Sequence, residues 1–411
     1  MIAVRGAQII DGTGRDPVRD AAVRFDGDRI AEIGPVRPGD EVIDMEGCTI
    51  LPGLIDAHVH FGLASPIDPM MAKELSIAER AADMFRVCRD TLHQGFTTVR
   101  DTGGIDWGLL KAVDSGQIPG PRILCCGAIL AQTGGHAHYT SPNECVHEWR
   151  SRELPGLTTL SVLCDSPDQV RAAARDNYRR GASFLKMNIT GGVISLTDSL
   201  DDTQFTVPEI EAAVIEAQAR RSYVTVHAHN TQGIRNGIAA GARCVEHGTD
   251  IDEELAEEMA ALGVHLVPTL AVMHIHARDF EDMSLHDEVR ARFSGVEEKM
   301  ARAIKVATDA GVLVGSGTDY VGPKQDNRGL EIALRAEIVG PMKAIMAATS
   351  VNAEIIGLAD QVGTLEPGKF ADVVAVDFDP LAEPGLFADS GRTALVVKGG
   401  DVVRNDRAGA R

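Results

Sequence analysis

The run Asp56-Ala57-His58-Val59-His60 follows an apolar stretch at 50–55 and sets two imidazoles two residues apart. Alternate residues of a β-strand share a face, so both rings would project to one side and could grip a single cation. Alone, such a pair is weak evidence, and a satisfied core pair explains it equally well. Three further apolar runs shift that balance. His227 ends the strand in VTVHAHN, His247 the one in CVEHGTD and Asp319 the one in VLVGSGTD, each a residue type that zinc accepts. Lys186 in ASFLKMN is the unusual member, because a lysine ending an apolar strand must be desolvated, paired or chemically altered. A buried salt bridge is one account. The account that suits the whole set is a neutral amine that captures carbon dioxide, giving a carbamate (N6-carboxylysine) whose two oxygens can bridge two divalent cations.

Such residues need strands to carry them. Eight candidate strands run into His58, Val99, Leu124, Lys186, Val226, Val245, Val267 and Gly315, with amphipathic helical segments at 167–180, 207–221, 231–240, 253–262 and 287–310. This alternation is α/β, and alone it also fits a doubly wound sheet. Histidines and acids at the C-terminal ends of several separate strands favour a (β/α)8 TIM barrel. Short strand-like runs at 2–4, 22–25, 29–33 and 41–43 match others at 371–377, 393–398 and 401–404, which suggests a small β-sandwich built by both termini. The expected division is 1–50 and 363–411 for that satellite, with the barrel at 51–362.

Bulk properties narrow the function. At 411 residues, with 44% hydrophobic and 24% charged residues, the chain has ample material for a large domain plus a satellite. A formal charge of -20 supplies no basic stripe, which argues against nucleic acid and anionic membrane surfaces as partners. No stretch approaches the roughly 20 apolar residues of a membrane helix, and the N-terminus lacks signal-peptide character, so a cytoplasmic location is expected. Seven cysteines without metal-type spacing read as reduced thiols. Arg100-Asp101 reads as a structural ion pair, and 273–294 as a lid.

Taken together, LPGLIDAHVH, GFTTVRDTGG, AQTGGHAH, GASFLKMNITGGV, VEHGTD, GSGTD and GTLEPGKFADVVAVD give the chain a resemblance to the amidohydrolase superfamily over nearly its whole length. It is most similar to the imidazolonepropionase-like and Xaa-Pro or Xaa-Arg dipeptidase (prolidase) group. The resemblance implies that His58, His60 and Asp319 hold the more buried cation and that His227 and His247 hold the second. Lys186, as its carbamate, would bridge the two, and zinc is the expected metal.

With two cations about 4 Å apart, a shared water would become hydroxide near neutral pH and attack an amide or peptide C–N bond. Asp319 would take its proton and pass it to the leaving nitrogen. His136 in TGGHAHY is the candidate donor to the carbonyl oxygen, since a histidine of that loop faces substrate in the group this chain resembles; the alternative is a surface imidazole. His138 and Tyr139 are weaker candidates for substrate contact. Prolidase-like relatives often carry HAY where this chain has His227-Ala228-His229, so His229 is either a substrate contact or a plain rim histidine. Gly191 and Gly192 allow close backbone approach or a tight turn. His265, His274, His276 and His286 lack ligand spacing. The expected substrates, in falling order, are a dipeptide ending in Pro or a basic residue, an N-acyl amino acid, and a carbamate or urea-type small molecule. A mononuclear deaminase or ring hydrolase is a rival that Lys186 disfavours, and an inactive scaffold is a second rival that the complete ligand set disfavours. Relatives commonly self-associate, so a homo-oligomer is compatible with the resemblance.

Overall fold

The computed structural model describes residues 1–66, 74–140, 143–146, 149, 153–195, 197–278 and 287–407, without the side chains of 287–291 and 294. Strands from both termini meet in one sheet. From the N-terminal side come β1 (Ile2–Ile9), β2 (Ala22–Asp26), β3 (Arg29–Gly34) and β4 (Glu41–Pro52). The second group of strands in the chain, β5 (Leu54–Val59), β6 (Phe96–Asp101) and β7 (Arg122–Cys125), pairs in parallel. A further parallel sheet contains β8 (Ile129–Ala131), β9 (Ser161–Leu163), β10 (Leu185–Asn188), β11 (Val224–Ala228), β12 (Cys244–His247) and β13 (His265–Val267), in the order β13-β12-β11-β10-β8-β9. The C-terminal β14 (Val373–Val376), β15 (Thr393–Lys398) and β16 (Asp401–Asn405) return to the first sheet, whose order is β16-β15-β14-β4-β1-β2-β3. The expected sandwich therefore takes the form of one hydrogen-bonded sheet. Val4, Phe25, Met45, Val373, Leu395 and Val397 share its buried cluster.

The five helices anticipated between strands are present as Pro167–Arg179, Val207–Gln218, Thr231–Ala239, Glu253–Leu262 and Asp287–Asp309. Three start where a short polar side chain accepts from the third helical N–H: Ser166 from Gln169, Asn230 from Gly233 and Asp252 from Leu255. Of the lid anticipated at 273–294, residues 279–286 lie outside the described residues, and the helix Leu270–Arg278 precedes them.

Side-chain alternation sorts the central strands into two faces. Leu185, Met187, Val224 and Val226 pack with Ile210, Ala213, Ile234 and Leu255 of the surrounding helices. Lys186, Asn188, Thr225 and His227 take the opposite face and are also buried. The polar residues thus form a second buried face, opposite the apolar one.

The eighth anticipated strand is reduced to a single parallel bridge, Leu266 with Val314, and is joined to β13 and β5 by individual hydrogen bonds. Gly315 N–H donates to Leu266 O (2.8 Å), and Ala57 N–H donates to Ser316 O (2.9 Å). Side chains reinforce this seam. Asn352, directly after the π-helical turn Ala347–Val351, donates to Ile55 O (2.7 Å) and Ser316 O (2.8 Å) and accepts from Ser316 N–H (3.0 Å). The Asp56 carboxylate accepts from the backbone N–H groups of His58 and Thr318 and from the Thr318 hydroxyl, and pairs with Arg328 at 2.9 Å, both side chains fully buried. One carboxylate thus ties the strand carrying His58 to the turn carrying Asp319.

Removing one partner of a buried ion pair leaves an uncompensated charge. Arg328→Met is expected to lower the unfolding free energy by about 3–5 kcal/mol in urea denaturation. A loss below about 1 kcal/mol would show that Asp56 is held by its other donors.

Candidate metal centre

His58 and His60 follow the alternation of β5 and converge. Their Nε2 atoms are 3.3 Å apart, and Asp319 Oδ1 lies 3.4 Å from the first and 3.2 Å from the second. Four ligands at 2.0–2.1 Å around a tetrahedral ion stand about 3.3 Å from one another, so this trio already has the spacing of a coordination shell. The outward nitrogens are engaged: His58 Nδ1–H donates to Glu246 (2.8 Å) and His60 Nδ1–H to Gly103 O (2.7 Å). Both rings thereby turn Nε2 inward, toward each other and toward Asp319.

His247 and Asp319 reach the site by a different route. Glu246 occupies the inward slot of β12, so alternation alone would turn His247 toward the helices with Val245. A left-handed backbone at His247 (φ 71°) breaks that alternation and brings its ring to 5.1 Å from His58, centroid to centroid. Asp319 is left-handed as well (φ 55°). Non-glycine residues hold such conformations at a cost of about 1–3 kcal/mol each, and they concentrate at functional sites.

His227 ends the inward face of β11, stacks on His136 at 4.3 Å and contacts Gly191 O through Nε2 (3.3 Å). Ligand atoms of His227, His229 and His247 all lie within 4.8 Å of one another, as do those of His58, His247 and Asp319. Burial, reinforced by mutual repulsion, holds His227 and His247 well below the ordinary imidazole range and pushes His229 and His136 down to about 3. Neutral rings keep their lone pairs. Burial would raise the Asp319 carboxyl, but His58 and His60 outweigh it and hold the group ionised, well below the usual range. At His60 burial lowers the pKa and the hydrogen bond and charge of Asp319 raise it further than that, for a net increase.

Lys186 is 2% exposed, and burial lowers its pKa against the pull of Glu246 and Asp319. The oxygens of Glu246 are already engaged, Oε1 by Arg100 (2.6 Å) and Thr225 and Oε2 by His58. Glu246 is thus shared among several donors, and burial disfavours the charged form of the Lys186 amine. Imidazole nitrogens, an ionised carboxylate and a buried amine constitute a donor set that fits divalent cations.

Other expectations resolve unevenly. His136 is at the site, with Tyr139 Oη 3.4 Å from its Nε2 and its carbonyl accepting from Asn188 (3.2 Å). A Cβ on Gly192 would fall 2.2 Å from the His136 ring, so close approach is what requires glycine there. His138 instead braces its own loop, accepting from Gly134 N–H (2.9 Å) and contacting Thr140 Oγ1 (3.1 Å). His274 hydrogen-bonds Glu297, and His286 lies outside the described residues. The anticipated Arg100–Asp101 ion pair does not form. Neighbours on a strand point to opposite faces, so Arg100 turns inward to Glu246 while Asp101 accepts from Phe61 N–H (2.8 Å) and Gly103 N–H (3.0 Å).

Comparison with known proteins bears on what this cluster is for. The model of the amidohydrolase family matches residues 49–403. The chain belongs to the amidohydrolase family. Among its relatives, the ochratoxinase of Aspergillus niger is 31% identical over 368 residues, covering 88% of this chain and 76% of that protein. A solved prolidase complexed with N-methylphosphonate-L-proline is 33% identical, with a TM-score of 0.91, covering 98% of this chain and 99% of that one. A solved Xaa-Pro dipeptidase with bound methionine in its active site is 29% identical, with a TM-score of 0.87, covering 98% and 100%. The likeness expected from the motifs holds, and this amidohydrolase is a hydrolase acting on C–N bonds.

Glu246 went unread in the sequence, although an acid in CVEH, flanked by apolar residues and a histidine, is a signal of an interior role. It fixes the tautomer of His58 in this amidohydrolase, and outer-shell partners of this kind are typically worth 10–100-fold in metal affinity. Glu246→Gln is expected to weaken the tightest cation by that factor, roughly 10–100-fold, in chelator competition. Unchanged affinity would assign Glu246 to pairing Arg100 alone.

Proposed function

We propose that this amidohydrolase is a two-cation hydrolase of amide or peptide bonds, with zinc the expected metal and Lys186 carboxylated. The observation that carries this reading is the convergence of His58, His60 and Asp319 at 3.2–3.4 Å beside the buried, neutral His227 and His247. His58, His60 and Asp319 would hold one cation, His227 and His247 the other, and the carbamate of Lys186 would bridge them. The cations would supply Lewis acidity, activating water near neutral pH and polarising the scissile carbonyl.

The chain's own groups do the rest. The ionised Asp319 carboxylate takes a proton from the attacking water and returns it to the leaving nitrogen, acting as base and then acid. His136, held by stacking on His227 and by Tyr139, orients the substrate carbonyl oxygen from the loop after β8. Tyr139 lines the same approach. Burial of the ligand-bearing strand ends excludes bulk water and strengthens these interactions.

The architecture proposed to hold them is a closed (β/α)8 barrel at 51–362, with a terminal satellite at 1–50 and 363–411. The hydrogen bonds from Gly315 to Leu266 and from Ala57 to Ser316 support closure, since they join the two parallel sheets through the eighth strand position. The substrate class is a dipeptide ending in Pro or a basic residue, or an N-acyl amino acid. The prolidase and Xaa-Pro dipeptidase among the solved relatives support the C–N bond and a small, carboxylate-bearing leaving group.

Elemental analysis of protein grown with ample zinc and bicarbonate should find about two ions per chain. Lys186→Ala should lose turnover against a dipeptide and N-acyl amino acid library, with partial rescue by short carboxylic acids that replace the bridge. One ion or none, or an unimpaired variant, would refute the reading. Asp319→Asn should bind substrate with nearly unchanged KM while kcat falls by roughly 100-fold or more, as expected when a positioned acid–base is removed. Equal turnover would take the proton-carrying role away from Asp319.

A further inference from the structure

We infer that His229 completes a three-histidine cation site with His227 and His247, so that the second cation is retained without the carbamate on Lys186. This deepens the two-cation reading and rests on it. In a two-histidine scheme the second cation depends on the modified lysine for its remaining protein donor. Three neighbouring imidazoles remove that dependence.

Four observations lead here. His227 and His229 stand two apart at the end of β11, the spacing that sends His58 and His60 to one ion. The ligand atoms of His227, His229 and His247 lie within 4.8 Å of one another, and each residue is buried. Bringing such a triangle onto an ion at 2.0–2.1 Å moves each ring inward by less than about 1 Å, within reach of small side-chain rotations. His229 is also built like its neighbour. Its Nδ1 meets the Thr249 hydroxyl at 2.7 Å, as His247 Nδ1 meets Thr269 at 2.8 Å, and the two rings stack at 4.9 Å with 7° between their planes. In both, an Nδ1–H donated to the threonine hydroxyl would leave Nε2 its lone pair.

Depth separates this role from that of a substrate contact. His229 is 2% exposed, whereas His136 and Tyr139 on the preceding loop are partly open. A phenol at position 229, as in HAY, would offer an oxygen that is a poor ligand while protonated. An imidazole there changes the coordination number of the ion.

The test is metal binding, with turnover left out. Zinc titration of the metal-free wild type, of Lys186→Met, of His229→Phe and of the double variant should give two ions for the wild type and two for Lys186→Met. The double variant should keep only the tighter ion, its second affinity lower by at least roughly a hundredfold, beyond the loss typical of an outer-shell partner. Cobalt(II) spectra of Lys186→Met should lose visible absorption intensity at the second site when His229 is replaced. His229→Gln serves as a second replacement, and near-ultraviolet circular dichroism of each metal-free variant establishes that it is folded. If the double variant binds the second ion as tightly as Lys186→Met, the inference is overturned while the two-cation reading stands. If the wild type binds fewer than two ions, that reading fails first.

Discussion

A buried imidazole offers a lone pair to a cation only if its other nitrogen has somewhere to place a proton. Four of the buried imidazoles at the site meet an oxygen at Nδ1. His58 uses Glu246, His60 uses the Gly103 carbonyl, His229 uses Thr249 and His247 uses Thr269. The carboxylate is the demanding case, because an unpaired buried charge is far costlier than an unpaired hydroxyl. Arg100 answers it from β6 with a 2.6 Å contact between two fully buried side chains, and donates in turn to Ala57 O on the strand that carries His58. The orientation of His58 on β5 thus depends on charges contributed by β6 and β12.

Backbone geometry follows from the same need. Short parallel strands deliver inward residues every second position, and two of the required groups fall at positions where alternation would send them elsewhere or where the strand has ended. Left-handed turns at His247 and Asp319 redirect them. Such turns persist only when the surroundings over-determine them. Asp319 N–H donates to His58 O (2.9 Å), while Asp56 with Arg328 and Asn352 clamp the flanking segments. The seam at Leu266 and Val314, where the strand is a single bridge, is therefore held by side-chain bonds.

This division explains what could be read without coordinates. Strand positions and helix spans were legible because hydrophobic periodicity is local, and the five helices fall within a few residues of the expected ranges. Histidines at strand ends were legible because HxH spacing and repeated polar termini need no tertiary information. Glu246 and Arg100 were not, since the partner of a buried charge lies 146 residues away in sequence and pairing across a sheet interior leaves no periodic trace. The same reasoning separates His136 from His138: both sit in one loop, and only the backbone path, with Ala137 left-handed between them (φ 71°), decides which ring faces the site. The eighth strand was legible by its apolar run, yet it contributes a bridge in place of a ladder, because Asn352 and Asp56 supply the bonds that a regular strand would make.

The loop after β8 and the strands bearing Lys186 and His227 are fitted to each other, and this limits how the site can change. The His136 ring is pressed between His227 and Gly192, so a side chain at 192 would push it off the imidazole it stacks on. Its backbone is held by Asn188 from the strand that bears Lys186, and by Gln204 (3.1 Å), which also bonds Asp198 beyond that strand. Asn188 links the strand of Lys186 to the loop, and the stacked rings link the loop to His227. Under the proposed reading, the group that orients the carbonyl and the group that would bridge the cations are therefore connected through Asn188.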